Sequence, residues 1–169
     1  MKTLLLVRHA KSSWNDADIS DIDRPLKRSG VKDALEVSAK LKSLKVSPDI
    51  IITSPAVRAI TTALIFARTL KYQYNQIVIN EIVYDFSKDA LLPLLHNIDD
   101  KNDVVMLVGH DPSLTNLLNY LTGKTFEKIP TSSVAKISFR VKHWQKITPE
   151  NGRLVFIESP QKVEKTTAE

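Results

Sequence analysis

The chain has 169 residues, 43% of them hydrophobic and 25% charged, with a formal net charge of +5, four glycines and no cysteine. That length buries one proper core and is short for two ordinary domains, so a single domain over residues 1–158 is expected, with 159–169 as a frayed tail. Without sulfur there is no disulfide framework, thiolate zinc site or cysteine nucleophile, and the isolated Gly30, Gly109, Gly123 and Gly152 build neither common glycine-rich phosphate cradle.

Residues 3–7 form a continuous apolar run that stops at Arg8. This reads as a buried strand, since no apolar run approaches the roughly 18 to 20 residues of a membrane helix. A cytoplasmic protein with no membrane partner is the resulting expectation. A helix is predicted over 31–44, then a strand over 49–53. Ser54-Pro55 signs the next helix as N-cap and first-turn proline, and Ile60, Ala63, Leu64 and Ala67 form its apolar face.

A third strand is predicted at 77–79, followed by a helix through Leu91, Leu94, Leu95 and Ile98, its start obscured by Pro93. The fourth strand covers 104–108. Asp111-Pro112 then signs a helix whose face is Leu114, Leu117, Leu118 and Leu121. Beyond it the pattern alternates: Ile137, Phe139 and Val141 on one face, Lys136, Ser138, Arg140 and Lys142 on the other. With 154–157 beyond Asn151-Gly152, this predicts a half-exposed antiparallel pair at the sheet edge. Strands alternating with helices indicate an α/β fold with a mostly parallel sheet whose strands are covered on both faces.

Three of these strands end in residues able to do chemistry: Arg8-His9 after the first, Ser54-Pro55 with Arg58 after the second, Gly109-His110 after the fourth. Open α/β sheets bind ligands outside the carboxyl ends of their strands. If the three strands are neighbours, two arginines and two histidines meet in one crevice. Guanidinium forks suit a phosphate dianion, and histidine is a nucleophile available to a cysteine-free chain.

The segment Leu6-Val7-Arg8-His9-Ala10-Lys11-Ser12-Ser13-Trp14-Asn15 resembles the R-H-G-x-S-x-W-N signature of the histidine phosphatase superfamily, which includes the phosphoglycerate mutases. Arg8-His9-Ala10, Asp23-Arg24-Pro25-Leu26 with Gly30, and Thr53-Ser54-Pro55-Ala56-Val57-Arg58-Ala59 are more similar to the small SixA-type phosphohistidine phosphatases. Val108-Gly109-His110-Asp111-Pro112 and Pro130-Thr131-Ser132-Ser133-Val134-Ala135 continue the likeness.

The resemblance implies a phosphoglycerate mutase-like three-layer α/β/α sandwich with an antiparallel sheet edge. It makes His9 the phosphorylated nucleophile and Arg8, Arg58 and His110 the rest of the phosphate pocket. It adds Ser12 and Asn15 as pocket-lining positions, Arg24 on the substrate side, and Glu81, or secondly Asp85, as proton donor. The implied activity is that of a metal-independent, cofactor-free phosphatase acting on phosphohistidine in a protein. A small-molecule phosphomonoesterase or mutase is the alternative, and a non-catalytic phosphate-binding adaptor is the alternative of another class.

The remaining features have plainer readings. Where the resembling motif has glycine, which permits positive φ, this chain has Ala10, which fits such a conformation poorly, so the turn after His9 is expected to keep φ negative. Asp16, Asp18, Asp21 and Asp23 lack the glycine and distal glutamate of a calcium loop and read as a solvated, cap-rich segment. A metal at His9 and His110 is disfavoured by the adjacent arginines. Lys136, Arg140, Lys142 and Lys146 with Trp144 read as a charged, solvated edge rather than a nucleic-acid surface. His96 is read as a helix-face residue and His143 as part of that edge.

Overall fold

The structure is a computed structural model that describes residues 1–84 and 88–161. Six strands form one sheet in the order β3-β2-β4-β1-β5-β6: β1 Lys2–Arg8, β2 Ile50–Thr53, β3 Val78–Ile79, β4 Val104–Gly109, β5 Val134–Phe139 and β6 Gly152–Glu158. The first four run parallel. β5 is antiparallel to β1, and β6 to β5.

Because side chains alternate across a sheet, β1 serves two cores at once. Leu4 and Leu6 join Val105, Leu107 and Ile52 under α3 (Lys88–His96) and α4 (Ser113–Thr122). Leu5 and Val7 join Met106, Val108 and Ile51 under α1 (Arg28–Ser43) and α2 (Val57–Leu70). The expected three layers follow from that division. Among the described residues no helix is long and apolar enough to cross a membrane.

Several expectations are corrected. β3 is a two-residue edge strand with both side chains exposed, so it is not covered on both faces. Helix α2 begins at Val57 after an Ala56 cap, not at Pro55; Ser54 Oγ accepts instead from the Ala56 N–H at 3.2 Å. Helix α4 begins at Ser113 behind a cis Asp111-Pro112 peptide, and Asp111 Oδ1 accepts from the Thr115 N–H at 3.2 Å. The helix start that Pro93 obscured is at Lys88, and Pro93 lies inside α3.

The alternating run forms β5 and stops at Phe139, short of the expected Val141. Trp144 leaves the expected solvated edge and is fully buried, its indole N–H donating to the Asn102 carbonyl at 2.7 Å. A large apolar ring with one satisfied donor is better placed in the core than on a strand edge. His143 is exposed and pairs with Asp100, and His96 ends α3 against the Ile147 carbonyl. In the segment expected to fray, Ser159 bonds Ser133 and the Gln161 N–H donates to Glu36, while 162–169 lie outside the described residues.

Candidate active site

Register brings the functional strand ends together. Arg8 pairs with Gly109 across β1 and β4, and Thr53 with Val108 across β2 and β4. One residue further on, the His9 N–H donates to the Gly109 carbonyl at 3.0 Å and the Ser54 N–H to the Val108 carbonyl at 3.1 Å. His9 and His110 therefore emerge side by side, their ring centroids 5.0 Å apart. Arg58 reaches the same place from the first turn of α2 and is almost fully buried.

The loop after His9 is fixed by backbone contacts. The Ala10 N–H donates to Thr62 Oγ1 at 3.0 Å, and the Lys27 N–H to the Lys11 carbonyl at 2.8 Å. Gly30 sits against this loop so closely that an added Cβ would lie 2.4 Å from the Lys11 carbonyl oxygen. Ala10 is not among the positive-φ residues, in keeping with its expected turn. Ser132 is one, at φ 63°, and its N–H donates to the Arg8 carbonyl at 3.1 Å.

His9 Nδ1 donates to the Ala10 carbonyl at 2.7 Å, which leaves Nε2 with its lone pair. Burial, helped by Arg58, Arg8 and Arg24 and opposed by the Ala10 bond, lowers the His9 pKa to about 4. Burial, then His9 and Arg58, lowers that of His110 to about 3; its Nε2 lies 2.7 Å from Ser54 Oγ. Both rings are neutral at pH 7.

This has a consequence for stability. Unfolded histidines titrate near 6.5, so as pH falls from 7 toward 4 the unfolded chain takes up protons that the folded chain refuses, and stability declines through that window. We expect a loss on the order of 2 kcal/mol per histidine between pH 7 and pH 5. Urea denaturation in phosphate-free buffer checks it; a His110→Gln slope as steep as wild type would contradict it.

Asp21 organises the cations. Its backbone carbonyl and Oδ2 accept from Arg58, the latter at 3.0 Å, while Oδ1 accepts from Arg24 at 3.0 and 3.2 Å. The Tyr84 hydroxyl donates to Oδ2 at 2.6 Å, and its ring meets His110 edge-on. The Tyr84 bond first, then Arg58 and Arg24, hold Asp21 well below the usual carboxylate range. It is a fixed negative charge, unsuited to donating a proton.

Arg8 donates to the Ile129 carbonyl at 2.6 Å and lies 3.4 Å from Asp111. Arg24 donates to Ser12 Oγ at 2.7 Å and stacks 3.5 Å from the centre of the Trp14 ring. A cleft of about 400 Å³ is lined by Arg8, His9, Ser12, Arg24 and neighbouring residues. Arg8, His9, Arg58, His110, Ser12 and Arg24 share one end of the sheet, but Arg58 and His110 are almost fully buried and do not line the cleft. Asn15 is exposed and does not line the cleft; its N–H donates to Ser13 Oγ. Glu81 is exposed on the short turn Glu81–Tyr84 and also does not line it. Asp85 lies outside the described residues.

Asp21, Tyr84 and the Ser54 hydroxyl at His110 are the contacts that sequence reading missed. A carboxylate three residues before Arg24 was the available signal for the first. Among the described residues no three His, Cys, Asp or Glu side chains cluster to hold a metal. A neutral imidazole nitrogen flanked by guanidinium groups can attack an anionic phosphorus while its charge is balanced.

Residues 4–82 match the family model of the histidine phosphatase superfamily (branch 1). An uncharacterised chloroplastic protein of Arabidopsis thaliana is 46% identical over 57 residues, which are 34% of this chain and 26% of that one. A 2,3-bisphosphoglycerate-dependent phosphoglycerate mutase of Chlamydia abortus is 29% identical over 161 residues, 92% of this chain and 66% of that one. The chain therefore spans about a quarter of one relative and just under two thirds of the other. A crystal structure from Agrobacterium tumefaciens, provisionally assigned as phosphohistidine phosphatase SixA, superposes with a TM-score of 0.80 at 25% identity, covering 95% of this chain and 99% of that one.

Proposed function

We propose that this chain, which matches the histidine phosphatase superfamily model over residues 4–82 and has a SixA-like fold, is a metal-independent phosphatase that removes phosphate from phosphohistidine in a protein through a phosphorylated His9. The observation that carries the reading is the neutral His9 ring, locked by Ala10 and set between arginines beside His110. The likeness to the Agrobacterium structure and the open mouth, where Trp14 is 72% exposed, favour a substrate presented on another protein. A cytoplasmic location belongs to the same reading.

In the first step His9 Nε2 forms a bond to phosphorus as the substrate P–N bond breaks, and the departing imidazole leaves with a proton. We assign Arg8, at the cleft, and the buried Arg58 and His110 behind His9 to the equatorial oxygens, where charge accumulates in phosphoryl transfer. In the second step water adds to phosphorus, the P–Nε2 bond breaks, and inorganic phosphate departs. An imidazole leaving group can carry its own proton, so the reaction asks less of a general acid than an alkyl ester does.

The test is to incubate the purified protein, with chelator and no added metal, with a radiolabelled phosphohistidine protein. An acid-labile, base-stable phosphoenzyme mapping to His9, with release of phosphate, is expected. Labelling only by phosphomonoesters would favour the small-molecule phosphatase or mutase to which the Chlamydia relative points. Phosphate binding without turnover would favour an adaptor, and loss of activity with chelator would return a metal to the site.

A further inference from the structure

The cleft is larger than its phosphate pocket. At about 400 Å³ it falls in the range of small-ligand pockets. A phosphoryl group at His9 leaves much of it to the rest of the substrate. Its walls there are cationic: besides Arg8 and Arg24 they present Lys11, Lys27 and Lys128, and no carboxylate lines the cleft among the described residues.

The surrounding charges are unevenly balanced. Arg24 and Arg58 share Asp21, Arg8 has Asp111, and Lys11 lies 3.5 Å from Asp33. Lys27 and Lys128 are exposed and have no ion pair among the described residues. Lys128 also borders a neighbouring hollow of about 190 Å³ with Arg8, Asp111 and Glu127, yet neither carboxylate forms an ion pair with it. Lys27 comes from the start of α1 and Lys128 from the segment before β5, so the two approach the mouth on separate pieces of chain.

We propose that the substrate carries a second anionic group, phosphate or carboxylate, beyond its phosphoryl group, and that Lys27 and Lys128 bind it at the mouth of the cleft. This rests on the reading that the phosphoryl group sits at His9. A small molecule can supply that charge from its own skeleton, and a phosphohistidine protein from an acidic side chain beside the modified residue. Two flexible ammonium groups suit either, because they ask for charge and not for a fixed planar geometry.

Calorimetric titration with methylphosphonate and with α,ω-diphosphonates of one to four carbons reads the subsite without turnover, since their P–C bonds do not transfer. At least one diphosphonate is expected to bind the wild-type protein about 10-fold more tightly than methylphosphonate, and added salt should shrink that advantage. The double variant Lys27→Ala/Lys128→Ala should lose most of it. Lys142→Ala/Lys146→Ala makes the same net-charge change at the opposite end of the sheet and should keep it. No diphosphonate advantage in wild type, or equal loss in both double variants, overturns the proposal.

A diphosphonate advantage in a protein that never forms phospho-His9 would retain the subsite and reject the catalytic reading. Turnover ratios then name the source: phosphohistidine peptides with Asp or Gln beside the modified residue, and carboxyphenyl phosphate against phenyl phosphate. The pair whose kcat/KM ratio collapses in Lys27→Ala/Lys128→Ala identifies it. Neither pair showing a ratio in wild type counts against the proposal.

Discussion

Replacing His9 by alanine is expected to abolish the covalent phosphoenzyme and lower turnover by about 10⁴-fold or more, as removal of a nucleophile does. The fold should survive. His9 is only partly buried, its ring makes one hydrogen bond to its neighbour's carbonyl, and the backbone contacts that hold the loop come from Ala10, Lys11 and Ser132. Single-turnover labelling separates the two steps. Residual turnover without label would move the chemistry to a directly attacking water, whereas a label persisting in the variant would move it to another residue. Relief of the histidine desolvation predicts that the variant also loses less stability than wild type between pH 7 and pH 5.

Arg58→Ala is the second large effect, expected to cost about 10² to 10³ in kcat/KM, the range for removing one preorganised donor from a transition-state oxygen. Arg58 is almost fully buried, and one face of its guanidinium is committed to the Asp21 carbonyl and carboxylate. That commitment aims the rest of the fork. Arg58→Lys keeps the charge and loses the planar fork, so it should recover only a small part of the loss. A full rescue by lysine would show that charge alone suffices and that Asp21 has no orienting role. Inorganic phosphate affinity, measured alongside, should fall in both variants.

Much of this is legible in the sequence. Buried strands announce themselves as apolar runs; Arg8, His9 and His110 stand directly at or after their ends, and Arg58 stands in the first turn of the helix that follows β2. Strand adjacency then did the rest, through the Arg8–Gly109 and Thr53–Val108 register. Loops carry no comparable period. Asp21 looks like any acidic residue in a polar stretch, and only the folded chain shows that Arg24, Arg58 and Tyr84 all turn to it. Trp144 was misread for the opposite reason: an alternating pattern ran up to it, but β5 ended first and the chain folded the ring inward.

The central position of β1 also bears on how the protein comes into being. Its two neighbours are β4, about a hundred residues later, and β5, later still. During synthesis the strand bearing Arg8 and His9 is made first, yet its edges stay unpaired until those distant segments emerge. Such pairings of long sequence separation are the slow ones in folding. A nascent chain therefore carries His9, the proposed nucleophile, well before β4 and β5 can pair beside it, so the proposed reactivity and completion of the sheet arrive together.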